Sequence, residues 1–189
     1  MKSKSNPTPA KIAYWSKLTH PLFQNRPLYV AATEQGLSRI TWPNETFELL
    51  QAWADKHGML LEENDEHVSD YTQQLRQYLD GERNSFDLPL DPQGTDFQKE
   101  VWKALTGIPY GQTNSYSDIA ASIGRPAAVR AVGAANGANP IPIVVPCHRV
   151  IGKNSALTGF AGGLKVKEDL LKLEGYHDYK TSGHARFQF

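Results

Sequence analysis

Ile143-Val144-Val145-Pro146-Cys147-His148-Arg149-Val150-Ile151 is the stretch around which this chain is organised. It holds the only cysteine in 189 residues and sets it beside a histidine, between two β-branched apolar runs. Such runs suit buried strand. Proline has no N–H and pushes the residue before it into extended geometry, so the first run is expected to end or bend at Val145. Cys147 is then expected at a strand end, where a side chain can reach a cleft. A lone thiol also packs well as a small hydrophobe, so core residue and nucleophile both stand as readings at this point. A single cysteine does exclude an intrachain disulfide and a multi-cysteine metal site.

Charge is distributed unevenly around this stretch. The chain as a whole is neutral, with 20 Lys/Arg and 20 Asp/Glu. Residues 1–90 carry nine Lys/Arg against twelve Asp/Glu, a net of −3, whereas residues 91–176 carry nine against seven, a net of +2. Between Ile119 and Lys167 there are six cationic residues and no Asp or Glu. An acid-free basic stretch containing the cysteine is a modest footprint for a polyanion, with chance in an Ala/Gly-rich segment as the plain alternative.

Upstream, Thr95 and Gln98 have capping-box spacing and open a helix whose Phe97, Val101 and Leu105 fall four apart. These three and Trp102 are expected in the core. Ser115-Tyr116-Ser117-Asp118 reads as a second cap before Ile119, Ala120 and Ile123, and Gly124-Arg125-Pro126 ends that helix. A helix over Ala127 to Asn136 should follow, with Val129 and Val132 inward and Arg130 pointing outward. Two short helices across a tight turn make a helix-turn-helix pattern, and the second is nearly bare of side-chain bulk. Thr158-Gly159-Phe160-Ala161-Gly162-Gly163 is a glycine-rich loop without the ending of a phosphate-binding loop. A last helix spans Val166 to Glu174. His177 to Phe189 has no periodicity and is expected to be a poorly ordered extension.

The first half reads as α+β. Leu28–Thr33 and Leu37–Trp42 form a hairpin about Glu34-Gln35-Gly36, with an earlier strand near Ile12 to Leu18. Helical patterns run through Phe47, Leu50 and Ala54 to Gly58, and through Val68, Tyr71, Leu75 and Leu79 to Gly81. His20, His57 and His67 are isolated and read as surface residues, and this half reads as scaffold. Pro89 to Gly94 reads as a linker, giving a domain over 1–90, a second over 91–176 and a tail over 177–189. Met1 to Lys11 is polar, with no apolar leader, and no segment has membrane length, so a cytoplasmic protein is expected.

Ser115-Tyr116, Arg130-Ala131-Val132-Gly133 through Asn139-Pro140, and above all Pro146-Cys147-His148-Arg149-Val150 resemble the O6-alkylguanine-DNA alkyltransferases, or methylated-DNA–protein-cysteine methyltransferases. The resemblance runs over about residues 95 to 176, ending on Leu173-Glu174-Gly175. It implies a ribonuclease H-like α+β domain followed by a mainly helical DNA-binding domain. It further implies direct repair of double-stranded DNA without cofactor or metal. An O6-alkylguanine flipped out through the minor groove would give its alkyl group irreversibly to Cys147, the protein acting once and as a monomer.

Carried over residue by residue, the resemblance makes Cys147, His148 and Glu174 a relay through water. Tyr116 would protonate the departing guanine, and Arg130 would fill the gap in the duplex. Asn139 falls on the family's asparagine hinge, Val150 closes the cysteine motif, and Phe160, Ala161 and Gly162 fall in the lesion-reading loop. Members commonly have tyrosine and serine or glycine where this chain has Phe160 and Ala161. O4-alkylthymine is left open as a further substrate. Two other classes remain for comparison, a lesion-binding protein without transfer, against which Cys147 argues, and a cysteine hydrolase.

The chemistry puts a bound on thiol activation. Lowering a thiol pKa of about 8.5 by about two units raises the thiolate fraction roughly 25-fold, but the weaker nucleophile gives back roughly 8-fold. Placement of the alkyl carbon and stabilisation of the leaving guanine are therefore expected to matter more.

Overall fold

The computed structural model describes residues 11–181. A four-stranded mixed sheet in the order β3-β2-β1-β4 is built from β1 (Lys11–Thr19), β2 (Pro27–Thr33), β3 (Gly36–Ile40) and β4 (Met59–Glu63). β1, β2 and β3 are antiparallel neighbours, as the hairpin reading requires, and β4 lies parallel to β1 on the far edge. β4 was not expected from the sequence. It pairs on one side only, leaves Leu60 61% exposed and ends in two glutamates, so it lacks the apolar alternation that marks a half-buried strand.

The pleat separates two apolar surfaces. Ala13, Trp15 and Ala31 pack against Leu50, Trp53 and Ala54 of α1 (Phe47–Lys56). Leu18, Leu28, Val30, Leu37 and Ile40 face the other way. They join Leu75, Tyr78 and Leu79 of α2 (Ser69–Leu79) in a core that runs on into the C-terminal half. That continuation includes Val101, Trp102 and Leu105 of α3 (Asp96–Thr106), Val132 and Ala135 of α5 (Val129–Gly137) and Leu170 of α6 (Leu164–Leu173). The two halves thus share one main core.

The segment between them is tied down as well. Leu37 N–H donates to Pro89 O (2.9 Å) and Asp91 N–H to Leu37 O (2.8 Å), while Asp91 accepts from Thr33 Oγ1 (2.7 Å). A Cβ on Gly36 would lie 2.5 Å from Pro89 O, and its φ is +144°, so only glycine fits this approach.

Several sequence expectations need correction. His20 is buried, not a surface residue; its Nε2 sits 3.0 Å from Asp80 Oδ1 and its Nδ1 accepts from Leu22 N–H. Phe97 is only half-buried, with the Arg125 guanidinium 5.6 Å above its ring. α5 starts at Val129, and its buried positions are Val132, Ala135 and Asn136, so Val129 faces outward. Arg130 is exposed as expected, although the register that led there was wrong. Of the tail, His177 to Lys180 is held by backbone bonds from Leu157 N–H to Lys180 O (3.1 Å) and Lys180 N–H to Ser155 O (2.9 Å). Residues 182–189, like residues 1–10, lie outside the described residues.

The largest correction concerns the apolar run before the cysteine. Ile141 to Val145 is a buried turn rather than a strand, closed by Val145 N–H to Ile141 O (2.9 Å). Pro142 within it and Pro140 and Pro146 at its two ends all lack the N–H that a ladder needs. Ile143 takes φ +75°, a conformation costing a β-branched residue about 1–3 kcal/mol. Its side chain is fully buried, which contributes about 1.5–3 kcal/mol and offsets the strain. Cys147 then lies on a 3-10 turn (Cys147–Arg149), and only β6 (Val150–Ile151) pairs, in parallel with β5 (Asn114–Ser115) ahead of α4 (Tyr116–Ser122).

Candidate active site

The 3-10 turn decides where three consecutive side chains go. An extended strand would send Cys147 and His148 to opposite faces, whereas three residues per turn fan Cys147, His148 and Arg149 around one axis. Two amides brace the turn from α5 and the residues after it. Asn139 Nδ2 donates to Val145 O (2.8 Å) while its Oδ1 accepts from Ile141 N–H (3.0 Å), and Asn136 Nδ2 lies 3.5 Å from Cys147 O.

Cys147 is 3% exposed at the base of a narrow cleft. One side is α5, where Gly133, Asn136 and Gly137 offer little bulk; Tyr116 and the loop Gly159 to Ala161 line the rest, together with Trp42. Tyr116 opens α4, whose Ser115/Asp118 capping box matches the sequence reading. Its hydroxyl is 2.8 Å from Thr158 Oγ1, and burial raises its pKa, so it keeps its proton at neutral pH.

Behind Cys147 lies a buried polar cluster. Glu174, 6% exposed at the end of α6, receives Nε–H and Nη2–H bonds from Arg149 at 2.9–3.1 Å and the Gly111 N–H at 2.9 Å. The Tyr78 hydroxyl also donates to its Oε1. Burial alone would raise the Glu174 pKa, but bonds from His148, Arg149 and Tyr78 outweigh it and hold the carboxyl down at about 2. The group is therefore ionised, with Arg149 as its fixed counter-ion; Arg149 Nη1 also donates to Ile108 O (2.6 Å).

An ionised carboxylate only accepts, which settles the histidine tautomer. His148 Nε2 lies 2.7 Å from Glu174 Oε1 and must carry the hydrogen. Nδ1 is then the unprotonated nitrogen, and it is buried without a protein partner. Burial also lowers the His148 pKa against the pull of Glu174, so the ring is neutral and its free nitrogen is a base.

The thiol is not poised as a thiolate. Burial pushes the Cys147 pKa up to about 11, partly opposed by the Asn139 side chain and the charge of Lys167. Lys167, on α6, is fully buried, donates to Val150 O (2.6 Å) and sits 5.3 Å over the Phe160 ring. Its own pKa is brought down by burial to about 8.

Cys147, His148, Glu174, Tyr116 and Asn139 are thus gathered at one site. Val150 contributes its carbonyl to Lys167. Phe160 and Ala161 line the cleft, and Gly162 lies under Trp42. Arg130 stands apart, exposed on the first turn of α5 and not among the residues that line the cleft. Sequence reading missed Tyr78, Trp42, Asn136 and Lys167, and the N-terminal half is more than scaffold. Lys167 did leave a signal, since it shares a helical face with Leu170, Leu171 and Glu174, where a solvated lysine is out of place. Tyr78 left none that pointed to a glutamate 96 positions away. Among the described residues, no group of three His, Cys, Asp or Glu side chains could hold a metal, and no helix is long and apolar enough to cross a membrane.

Residues 22–92 match the ribonuclease-like domain of 6-O-methylguanine DNA methyltransferase, and residues 96–176 match its DNA binding domain. The inducible methylated-DNA–protein-cysteine methyltransferase of Bacillus subtilis is 52% identical over 163 residues, 85% of this chain and 89% of the relative. That of Methanosarcina acetivorans is 49% identical over 151 residues, 79% of this chain and 92% of the relative. The crystal structure of Mycobacterium tuberculosis O6-methylguanine methyltransferase superposes with a TM-score of 0.73 at 42% identity, over 86% of this chain and 93% of that one. The mycobacterial protein in complex with DNA gives 0.72 at 42% identity, covering 85% and 92%. With both domain models matched in order and relatives of this identity spanning most of its length, the chain belongs to the O6-methylguanine DNA methyltransferase family.

Proposed function

We propose that this chain repairs O6-methylguanine in double-stranded DNA by transferring the methyl group to its own Cys147. Family membership supports the reaction. The observation that carries the residue assignment is the buried, neutral His148, whose Nδ1 is free while Nε2 is held by ionised Glu174.

The damaged base leaves the stack because O6 is enclosed in the duplex. α5, nearly bare of bulk, enters the minor groove, and exposed Arg130 fills the gap that the flipped nucleotide leaves. Backbone groups of the loop at Phe160, Ala161 and Gly162 read the guanine, which explains why no loop hydroxyl is needed. The Cys147 sulfur attacks the methyl carbon in line with the C–O6 bond. That bond breaks, its electron pair passes into the guanine ring, and the Tyr116 hydroxyl supplies a proton at N3. The thiol proton goes to His148 Nδ1 through a bridging water.

Magnitudes favour this order of events. A thiol near pKa 11 is almost wholly protonated at neutral pH, so the sulfur must lose its proton as it attacks. Glu174 and Arg149 hold the ring in the accepting tautomer, and Lys167 favours the negative sulfur. The product is a thioether with no leaving group, and each molecule acts once. Residues 1–90 and 91–176 serve as two domains, with 177–189 as a tail. The protein works as a monomer in the cytoplasm, where the lone thiol stays reduced.

Intact mass after incubation with a duplex carrying one O6-methylguanine tests the proposal. One methyl per chain on the Cys147 peptide is expected, with none from undamaged duplex and none on Cys147→Ala. Tight binding to the damaged duplex without any mass gain would overturn transfer and leave a lesion-binding protein.

A further inference from the structure

The N-terminal half contributes a rigid aromatic wall to the Cys147 cleft. Trp42 follows β3 and is 4% exposed, yet it lines the same cleft as Cys147. Its backbone is pinned by a turn. Trp42 N–H donates to Glu45 Oε2 (2.7 Å), Glu45 N–H to Trp42 O (3.0 Å), and Arg39 Nη2 lies 3.3 Å from Glu45 Oε1. The indole meets the Phe160 ring edge-on at 4.9 Å between centroids. It also covers Gly162 so closely that a Cβ there would lie 2.7 Å from Trp42 Cδ2 and 2.8 Å from Cε3. The neighbouring Asn44 Nδ2 donates to Ala161 O (3.2 Å). Trp42 therefore fixes how far the glycine-rich loop can retreat from Cys147.

We propose that Trp42 is a specificity-determining residue that sets the upper size of the alkyl group this cleft accepts. The inference rests on the alkyl transfer proposed above. A methyl group needs little room beyond the base itself. A longer chain on O6 must displace the Phe160 loop, and the loop is backed by an indole whose backbone the Glu45 turn holds and whose ring packs against Phe160 and Gly162. Packing at this density makes even one misplaced methylene felt. Phe160 alone does not impose this limit, because it is half-buried and carried on the loop itself, whereas Trp42 stands two residues beyond β3 with its backbone held by the Glu45 turn.

The test measures single-turnover transfer from duplexes carrying O6-methylguanine or O6-(n-butyl)guanine, in wild type, Trp42→Ala, Trp42→Phe and Gly162→Ala. The intrinsic reactivity of each alkyl group cancels when butyl-to-methyl ratios are compared between variants. Trp42→Ala should raise that ratio about tenfold or more, the scale of a methylene-sized change in a fitted pocket, and Trp42→Phe should raise it less. Gly162→Ala should slow butyl transfer further beside Trp42 and lose that effect in the Trp42→Ala background, because the clash is with the indole. Trp42→Phe keeps a packed ring, so with Gly162→Ala it carries the test even if the alanine variant misfolds. Ratios within twofold of wild type in the Trp42 variants, or independent effects of residues 42 and 162, would overturn the inference. Absence of methyl transfer by the wild type would instead overturn the proposed function, so the two failures are distinguishable.

Discussion

The two sides of the Cys147 cleft are built on opposite principles. Behind the cysteine, Glu174 collects bonds from His148, Arg149, Tyr78 and Gly111, drawn from three separate parts of the chain and almost wholly out of water. In front, the loop from Thr158 to Gly163 is tied down by the Tyr116–Thr158 pair, one bond from Asn44, and the ring contact with Trp42. A group whose tautomer and charge must be right before reaction benefits from redundant partners, since each removes an alternative orientation. A loop that must admit a base extruded from DNA benefits from few bonds, because each would have to be broken on entry. In the proposed reaction this contrast separates proton handling from substrate admission, and the N-terminal half reaches both sides, with Tyr78 at Glu174 and Trp42 at the loop.

Removing the counter-ion attacks the rigid side most directly. Arg149→Leu leaves Glu174 charged and largely uncompensated in the core, which should cost about 3–5 kcal/mol in denaturant unfolding and abolish methyl transfer. Little loss of stability in that variant would mean that Tyr78, His148 and Gly111 alone suffice to hold the Glu174 charge in the core.

Acid provides the next largest effect. The folded pKa of Glu174 lies near 2, below the ordinary 4.5, so its contribution is fully present above about pH 4.5 and is lost as the pH falls towards 2. Thermal melts across that window should therefore show falling stability in wild type and a flatter profile in Glu174→Gln, which starts from a lower plateau.

Lys167→Met sharpens the account of the thiol. Removing the buried ammonium takes away a charge that favours the negative sulfur, so alkylation of Cys147 by iodoacetamide at pH 7 should slow about tenfold. The gap from wild type should narrow above pH 8, where the native lysine itself gives up its proton. The smallest effect belongs to the adaptable side. Asn44→Ala removes one exposed hydrogen bond, and the stability change should stay within about 0.5 kcal/mol.

How much of this was legible beforehand differs between local and distant features. The capping box at Thr95, the cap at Ser115, the hairpin about Gly36 and the ends of α1 and α2 are written in a few neighbouring residues, and they were read with bounds close to those observed. β4 was missed because an edge strand paired on one side has no buried alternation to betray it. The run Ile141 to Val145 misled because β-branched side chains favour strands, while the three prolines and the Asn139 side chain forbid the ladder. The register of α5 slipped because a helix rich in alanine and glycine has almost no apolar contrast to read.

The candidate nucleophile and its neighbours in the chain were legible without a structure, because a single cysteine within Pro-Cys-His-Arg leaves few alternatives and the caps around it are local. What those groups can do was set by long-range packing. Whether His148 is a base depends on which of its nitrogens meets a carboxylate, and that carboxylate is ionised only because Arg149 and Tyr78 reach it in the core. Burial, not sequence, pushes the thiol pKa up and the lysine pKa down. Electrostatic character and pocket size are set by what packs against a group from distant parts of the chain, and spacing along the chain does not carry that information.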